Sequence, residues 1–378
     1  MKDIEMVDLK NQYMKIKEKV DNSILDVISS TKFINGPPVK QFSKNLENYL
    51  NVKHVIPCAN GTDALQISLM SLGLNIGDEI IVPSFTYVAT AEVISLLGFT
   101  PVMANVDLDT FNISIKDIKP LITKKTKAIV PVHLFGQSCD MEPIMNFASK
   151  HNLYVIEDNA QAIGADYTFK NGKNKKTGTI GHIGTTSFFP SKNLGCYGDG
   201  GAIFTNDSEL ASKIKMIANH GQEKKYFHKI TGCNSRLDSI QASILNIKLK
   251  YLDEYSKSRN QMAEIYDESL SKIPDIIIPK RQYNSTHVFH QYTLKIKNNL
   301  RDNLINSLKE NKIPSIVYYP IPLYKQEAFK SYVEKDFIIN DVEKICKSVL
   351  SLPIHTEIKN SSQKYIIEKI KEFFKKIS

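Results

Sequence analysis

The chain has 378 residues, of which 42% are hydrophobic and 24% charged, a globular composition with room for one large domain and a smaller one. Its formal net charge is +9, but the lysines are spread along the chain and no zinc-finger or basic-zipper pattern is visible, which argues against nucleic-acid binding. The apolar runs are strand-sized, the N-terminus lacks the apolar core of a signal peptide, and the five cysteines are scattered, so we expect a reduced cytoplasmic protein without a membrane span or a metal site.

Short runs rich in valine and isoleucine predict seven strands buried on both faces. They lie at 54–58, 79–84, 100–107, 126–135, 153–158, 184–189 and 201–206. Stretches with helical periodicity separate several of them, at 62–73, 90–98, 115–124 and 141–152. This alternation predicts an α/β fold with a mainly parallel sheet between helices, in which ligands bind at the carboxyl ends of the strands.

After residue 206 the pattern changes to a helix at 208–221 and a long helical stretch at 237–273, with little to interrupt it before Pro274. A strand-like run, a further helix, a proline-rich segment and a terminal helix follow. We therefore predict a large domain over residues 1–250 and a smaller C-terminal α+β domain over residues 251–378.

Lys192 follows an apolar, aromatic strand and precedes a glycine-rich turn over 195–201. A lysine held at the end of a buried strand is desolvated, which lowers the pKa of its amine and frees it as a nucleophile. The glycines let the backbone approach closely at this turn. On these residues alone, a solvated loop lysine is the alternative.

Asp158 ends an almost wholly apolar strand, where a carboxylate needs a partner. The pyridinium nitrogen of pyridoxal phosphate would be such a partner, because an aspartate keeps that nitrogen protonated and the ring an electron sink. The alternative is that Asp158 caps the next helix and that the neighbouring Glu157 carries the charge that matters.

An anion site is predicted where the strand at 54–58 ends. Gly61 and Thr62 open the following helix, whose free N–H groups and threonine hydroxyl can bind phosphate. Ser187, on the strand before the lysine, can add a second contact. Simple capping by Thr62 or Asp63 is the alternative.

Tyr87 follows the strand at 79–84 and offers a ring that can stack on a flat group, with core packing as the alternative. A phosphate cup, an aromatic ring, an acid and a lysine thus stand at strand ends in that chain order. Those are the four functions that a Schiff-base enzyme requires.

Five motifs resemble those of the DegT-type sugar-nucleotide aminotransferases, which are fold type I pyridoxal phosphate enzymes. They are ANGTDAL (59–65), PSFTYVATAEVISLLG (83–98), VIEDNAQAIGA (155–165), SFFPSKNLGCYGDGGAI (187–203) and GCNSRLDSIQASIL (232–245). The resemblance covers nearly the whole chain. It implies pyridoxal 5'-phosphate as cofactor, with pyridoxamine phosphate as its intermediate form, and L-glutamate as amino donor.

By this resemblance, Lys192 binds the cofactor covalently and later moves a proton, and Asp158 pairs with the ring nitrogen. Gln161 contacts the cofactor face or its hydroxyl, and Tyr87 stacks on the ring. The implied phosphate contacts are Gly61, Thr62 and Ser187.

Members of this family are homodimers whose active sites take residues from both subunits. The resemblance implies that Asn234 reaches the neighbouring subunit's phosphate and that Arg236 lies near a glutamate or substrate carboxylate, which its planar fork suits. An ion pair near the dimer contact is the alternative for Arg236. The segment 312–329 resembles the subgroup that aminates C-3 of a 3-keto sugar, with Tyr318 and Tyr319 lining the sugar site.

Within that subgroup we expect a dTDP-linked 3-keto-6-deoxyhexose as substrate, giving a dTDP-3-amino-3,6-dideoxyhexose for surface polysaccharide biosynthesis. A UDP-linked uronic acid would call for a further basic residue, which the sequence does not identify. A UDP-linked 3-keto-N-acetylhexosamine derivative and a C-4 keto sugar remain alternatives. Family dehydratases carry histidine in place of Lys192, and a regulator predicts a DNA-binding segment, so neither is favoured.

Overall fold

A sheet of seven strands organises the computed structural model, which describes residues 4–377. The strands in chain order are β1 (His54–Cys58), β2 (Glu79–Pro83), β3 (Thr100–Ala104), β4 (Thr126–Ile129), β5 (Tyr154–Asp158), β6 (Asp166–Thr168), β7 (Asn174–Lys176), β8 (Ile183–Ser187), β9 (Gly201–Thr205), β10 (Gln222–Lys224), β11 (Phe227–His228), β12 (Ile276–Ile277), β13 (Tyr292–Ile296) and β14 (Val349–Leu352).

The large sheet has the order β1-β9-β8-β5-β4-β2-β3. The pairs β3-β2, β2-β4, β4-β5 and β5-β8 are parallel, whereas β9 runs antiparallel to both β8 and β1. The predicted α/β fold with a mainly parallel seven-stranded sheet is therefore confirmed. A small antiparallel sheet, β12-β13-β14, lies in the C-terminal part of the chain, and β6-β7 and β10-β11 are two-stranded.

Helices cover the sheet and fill the C-terminal part. They are α1 (Leu9–Ser30), α2 (Pro37–Leu50), α3 (Gly61–Ser71), α4 (Ala89–Leu96), α5 (Ile115–Ile118), α6 (Met141–Lys150), α7 (Ser208–Ile217), α8 (Ser239–Lys248), α9 (Leu252–Leu270), α10 (Arg301–Glu310), α11 (Asn340–Ser348) and α12 (Asn360–Ile377). Short 3₁₀ turns occur at Lys119–Leu121, Leu134–Gly136, Leu249–Tyr251, Leu323–Lys325 and Glu327–Tyr332.

Two predicted strands end earlier than expected. The strand predicted to reach residue 107 stops at Ala104, and the Asp107 carboxylate then accepts from the backbone N–H groups of Asp109 and Thr110, which closes a turn. The strand predicted to reach residue 135 stops at Ile129, two residues before Pro131, which has no N–H to donate to a ladder.

The long helix predicted at 237–273 is two helices, α8 and α9, joined by the 3₁₀ turn Leu249–Tyr251. The two helices pack mainly in different cores, although Leu252 at the start of α9 still belongs to the α8 cluster. Leu245 of α8 packs in a cluster with residues of β1 and β9, whereas Met262 of α9 packs in a cluster that extends to Phe374.

The sheet is covered on both faces. Along β2, Ile80 and Val82 belong to one apolar cluster, while Ile81 between them belongs to another. The C-terminal cluster has its own buried side chains, although Leu323 and Val349 pack into the first sheet cluster. The domain limits at 1–250 and 251–378 stay a prediction.

Within residues 4–377, no helix has the length and apolar character needed to cross a bilayer. Over the same part of the chain, no group of three or more His, Cys, Asp and Glu side chains is arranged to hold a metal ion.

Candidate active site

Lys192 lies on the turn between β8 and β9, at the carboxyl edge of the sheet. The backbone N–H of Lys192 donates to the Phe189 carbonyl oxygen at 2.8 Å. The side-chain amide of the next residue, Asn193, donates to the Val288 carbonyl oxygen at 2.9 Å. A Cβ on Gly195 would lie 2.3 Å from the Pro190 carbonyl oxygen, so this turn requires glycine there. The turn is thus fixed both internally and against the C-terminal part of the chain.

Burial lowers the pKa of Lys192 to about 8, and the nearby Asp158 carboxylate opposes this shift. An ordinary lysine keeps its proton until far higher pH, so this amine is neutral much more often near neutral pH. This desolvation favours a reactive amine over the solvated loop lysine considered above.

Asp158 ends β5 and is 6% exposed. Its Oδ2 accepts from the Thr90 hydroxyl at 2.8 Å, and its Oδ1 accepts from the Ala160 N–H at 3.1 Å. These two donors fix the plane of the carboxylate. The residues directly after Asp158 form a turn and not a helix, so the helix-capping alternative is wrong for this residue.

Glu157 has a structural role on the opposite face of β5. Its carboxylate accepts from the His133 Nε2–H at 2.8 Å and from the N–H groups of Gly178, Ile180 and Gly181. His133 Nδ1 accepts from a backbone N–H, which places its ring proton on Nε2. Burial alone would raise the pKa of Glu157, but these donors outweigh it and hold the pKa below its ordinary value.

The phosphate cup lies where β1 meets α3. Asn60, not Thr62 or Asp63, caps this helix, because the Asn60 side chain accepts from the Asp63 N–H at 2.8 Å. The N–H groups of Gly61 and Thr62 therefore stand at the open, positive end of α3. A Cβ on Gly61 would lie 2.7 Å from the Ser187 Cβ, so glycine is what brings Ser187 to the cup.

An aromatic wall forms around Tyr319, whose hydroxyl lies within electrostatic reach of Asp158. Tyr87 is 57% exposed, and its ring lies 6.4 Å from that of Tyr319. Tyr319 also packs against Phe85 at 5.7 Å and Tyr318 at 5.9 Å. Gln161 joins this wall, because its Nε2–H donates to the Tyr319 hydroxyl oxygen at 3.2 Å. The structure therefore brings Tyr87, Gln161, Tyr318 and Tyr319 together.

Asn234 and Arg236 lie on the segment between β11 and α8. The Ser235 hydroxyl, between them, accepts from the Ala59 N–H at 3.1 Å, which ties this segment to the cup of the same chain. Asn234 is exposed, and none of the ion pairs within residues 4–377 involves Arg236. Their roles at a second subunit stay predictions.

Sequence reasoning missed several side chains that hold this site. Thr90 orients Asp158, Asn193 anchors the lysine turn, and Ser235 anchors the segment beside the cup. Small polar residues are common throughout the chain, and their partners are distant in sequence, so no periodic signal marks them.

These residues fit pyridoxal phosphate. A glycine cradle and the positive end of α3 suit the phosphate, a buried carboxylate suits a protonated ring nitrogen, and a lysine of lowered pKa suits the aldehyde carbon. Such a site at the carboxyl edge of a mainly parallel sheet defines a fold type I enzyme that uses this cofactor.

Comparison with known proteins agrees with this class. Residues 14–371 match the model of the DegT/DnrJ/EryC1/StrS aminotransferase family. The chain belongs to this family.

Individual relatives cover almost all of the chain. It is 45% identical to the UDP-2-acetamido-2-deoxy-3-oxo-D-glucuronate aminotransferase of Pseudomonas aeruginosa, covering 96% of this chain and 98% of the relative. It is 40% identical to the dTDP-3-amino-3,6-dideoxy-alpha-D-galactopyranose transaminase of Aneurinibacillus thermoaerophilus, covering 98% and 99%. The crystal structure of Streptomyces venezuelae DesV in complex with a ketimine intermediate has a TM-score of 0.94 at 34% identity, covering 99% of both chains.

Proposed function

We propose that this chain transfers the amino group of L-glutamate to C-3 of a nucleotide-linked 3-keto sugar, with pyridoxal phosphate as cofactor. The observation that carries this proposal is the placement of Lys192, with its lowered pKa, beside Asp158 at the carboxyl edge of the sheet. The two relatives described above are named as aminotransferases of this kind of substrate, which supports it.

Each part of the site has a task in this reaction. When bound, pyridoxal phosphate supplies an electron sink that stabilises negative charge at the carbon next to the amine. Lys192 binds the cofactor and, once released, moves a proton at that carbon through its amine. Asp158, held by Thr90, presents negative charge to the ring nitrogen, and the Gly61 cradle holds the phosphate.

The proposal is tested first by loading the purified protein with pyridoxal phosphate and recording its absorbance. We expect a band near about 400 nm, typical of the cofactor bound to a lysine, that L-glutamate bleaches. Lys192→Ala should lack this band and all turnover, and Lys248→Ala removes another buried lysine as a control. Normal turnover of Lys192→Ala would refute the assignment.

We further propose a homodimer in which Asn234 completes the neighbouring subunit's cup. Exposed apolar side chains support a subunit contact, notably Tyr226 at 80% and Phe227 at 71% on the hairpin β10-β11, shortly before Asn234. Alone, Lys192→Ala should be inactive and Asn234→Ala should be weak. Mixing them should restore activity, because one site of the mixed dimer would then have both intact residues. No restoration would place Asn234 in its own subunit's site.

For the sugar, we propose the dTDP-linked 3-keto-6-deoxyhexose expected from the sequence. The tyrosines of the aromatic wall, Tyr87, Tyr318 and Tyr319, carry no charge, which suits a sugar without a carboxylate. The relative that is 45% identical favours a UDP-linked 3-keto sugar instead, so both enter the test.

A substrate panel separates these possibilities. It contains dTDP-linked 3-keto and 4-keto 6-deoxyhexoses and UDP-linked 3-keto-N-acetylhexosamine and its uronic acid, each with L-glutamate and read by mass spectrometry. An amino sugar from the dTDP 3-keto compound alone is the expected result. A product only from UDP compounds would overturn the nucleotide assignment, and a product only from 4-keto compounds would overturn C-3.

A further inference from the structure

One chain of hydrogen bonds connects the sugar-site segment to the cofactor end of the site. The Phe135 N–H donates to Gln161 Oε1 at 2.7 Å, and Gln161 Nε2 donates to the Tyr319 hydroxyl oxygen at 3.2 Å. Gln161 is almost fully buried and links residues that are 26 positions before it and 158 positions after it in the sequence.

The direction of these hydrogen bonds is fixed. A backbone N–H can only donate, so the oxygen of the Gln161 amide must face Phe135 and its NH₂ group must face Tyr319. The Tyr319 oxygen is therefore an acceptor in this contact, and its own proton remains free to donate. Within residues 4–377, the Gln161 contact is the one side-chain hydrogen bond found at this hydroxyl.

The backbone is held in an unusual shape to make this contact. Phe135 adopts φ 58° and ψ 2°, in the left-handed region that bulky residues rarely enter. The next residue, Gly136, has φ 109°, and a Cβ there would lie 2.9 Å from the Phe289 nitrogen. Strain of this kind is kept where the surrounding structure requires it, and here it aims an N–H at Gln161.

The neighbours of Tyr319 are groups of the cofactor end. Its ring packs on Phe85 and Tyr87, and its hydroxyl lies within electrostatic reach of Asp158. Burial raises the pKa of Tyr319 well above its ordinary value, so the hydroxyl keeps its proton. Tyr318, whose ring meets that of Tyr319 at 63°, lacks the contact with Gln161.

We propose that Tyr319, oriented by Gln161, donates its hydroxyl proton to an oxygen of the bound cofactor and not to the sugar. This inference rests on the proposed function and divides the two tyrosines by role. Because the cofactor takes part in both half-reactions, Tyr319 acts in the glutamate half and in the sugar half. Tyr318 acts in the sugar half alone.

The test compares Tyr319→Phe with Tyr318→Phe, a matched removal of one hydroxyl from the adjacent residue. Single-turnover absorbance follows the bleaching by L-glutamate and the recovery with the keto sugar that the wild type accepts. Tyr319→Phe should slow both halves by roughly 10- to 150-fold, about what one hydrogen bond to a charged oxygen contributes. Tyr318→Phe should leave the glutamate half unchanged.

A second readout needs no substrate. The absorbance of the bound cofactor is titrated with pH, and Tyr319→Phe should shift the midpoint while Tyr318→Phe should not. Gln161→Glu should shift it in the same direction, because a carboxylate would accept the Tyr319 proton and withdraw it from the cofactor. Combining Gln161→Glu with Tyr319→Phe should add little to either change.

The outcomes are distinguishable. An unchanged midpoint and an unchanged glutamate half in Tyr319→Phe, with a slower sugar half, would overturn the inference and make Tyr319 a sugar residue. A wild-type protein that binds the cofactor but ignores L-glutamate would contradict the proposed function, and the substrate-free titration would still decide the role of Tyr319.

Discussion

The lowered pKa of Lys192 makes a quantitative prediction about how the cofactor-free protein reacts with pyridoxal phosphate. With a pKa of about 8, in place of the ordinary 10.5, roughly 9% of the amine is neutral at pH 7, against about 0.03% for an ordinary lysine. Because only the neutral amine attacks an aldehyde, we expect Lys192 to have about 300 times more of the reactive form at pH 7 than an ordinary lysine.

The assay mixes cofactor-free protein with pyridoxal phosphate in a stopped-flow instrument and follows absorbance near about 400 nm. Since burial lowers the Lys192 pKa, the rate should rise as pH increases towards about 8 and then level off. N-α-acetyl-lysine, measured in the same buffers, corrects for the ionisation of pyridoxal phosphate itself. A rate that keeps rising to pH 10 would refute the reasoning.

Removing the charge of Asp158 tests its effect on the Lys192 pKa. The Asp158 carboxylate favours the protonated amine and so opposes the effect of burial on the Lys192 pKa. Asp158→Asn should therefore move the midpoint to still lower pH. Asp199→Asn removes an exposed carboxylate from the same turn and should leave the midpoint in place. A midpoint that rises in Asp158→Asn would contradict the electrostatic argument.

Three further predictions concern the supports of the site. Gly61→Ala places a Cβ 2.7 Å from the Ser187 Cβ and should destabilise the cup by about 1–3 kcal/mol, seen as weaker cofactor binding by equilibrium dialysis; unchanged affinity would mean that this close approach is unimportant. Thr90→Val removes a donor to Asp158 and should release the cofactor about tenfold more readily, whereas Thr90→Ser should retain it; equal losses in both would point to packing, not the hydroxyl. Glu157→Gln replaces one of the two accepting oxygens with an NH₂ group, so two of the four hydrogen bonds are lost and the NH₂ group faces two other donors; it should lower the free energy of unfolding by about 2–4 kcal/mol in urea titrations. The pKa of Glu157 is lowered in the folded state. The stability that its carboxylate contributes is therefore fully present above the unfolded pKa of 4.5 and is lost as pH falls through the folded pKa. If Glu157→Gln lowered the free energy of unfolding equally at about pH 3 and pH 7, this would be contradicted.

The main chemical groups could be predicted from the sequence because they stand at strand ends. Runs of valine and isoleucine locate buried strands, and a polar residue at the end of such a run or a few residues after it is conspicuous. Lys192 and Asp158 are both of this kind, and the structure places them at one edge of the sheet. The mainly parallel direction of the strands also follows from their alternation with helices, except at β9, whose antiparallel direction has no signal in its composition.

The supporting contacts could not be predicted in the same way. Thr90 lies 68 residues from Asp158, and Gln161 lies 158 residues from Tyr319. Such pairs depend on how elements distant in sequence pack against each other. A threonine at position 90 and a glutamine at position 161 are not unusual for their places in the sequence. The N-terminal helix α1 was also missed, because it buries only Ile16, Val20 and Val27 along 22 residues, which leaves a weak apolar stripe.

The pairing of β1 with β9 has a consequence for how the protein is made. His54 pairs with Thr205, and a Cβ on Gly201 would lie 2.3 Å from the Asn60 carbonyl oxygen, so the cup is walled by chain segments about 150 residues apart. On the ribosome, β1 must therefore wait with an unpaired edge until β9 has emerged. Cofactor capture is then a late event of synthesis, and a nascent chain halted before residue 201 has no cup to receive it.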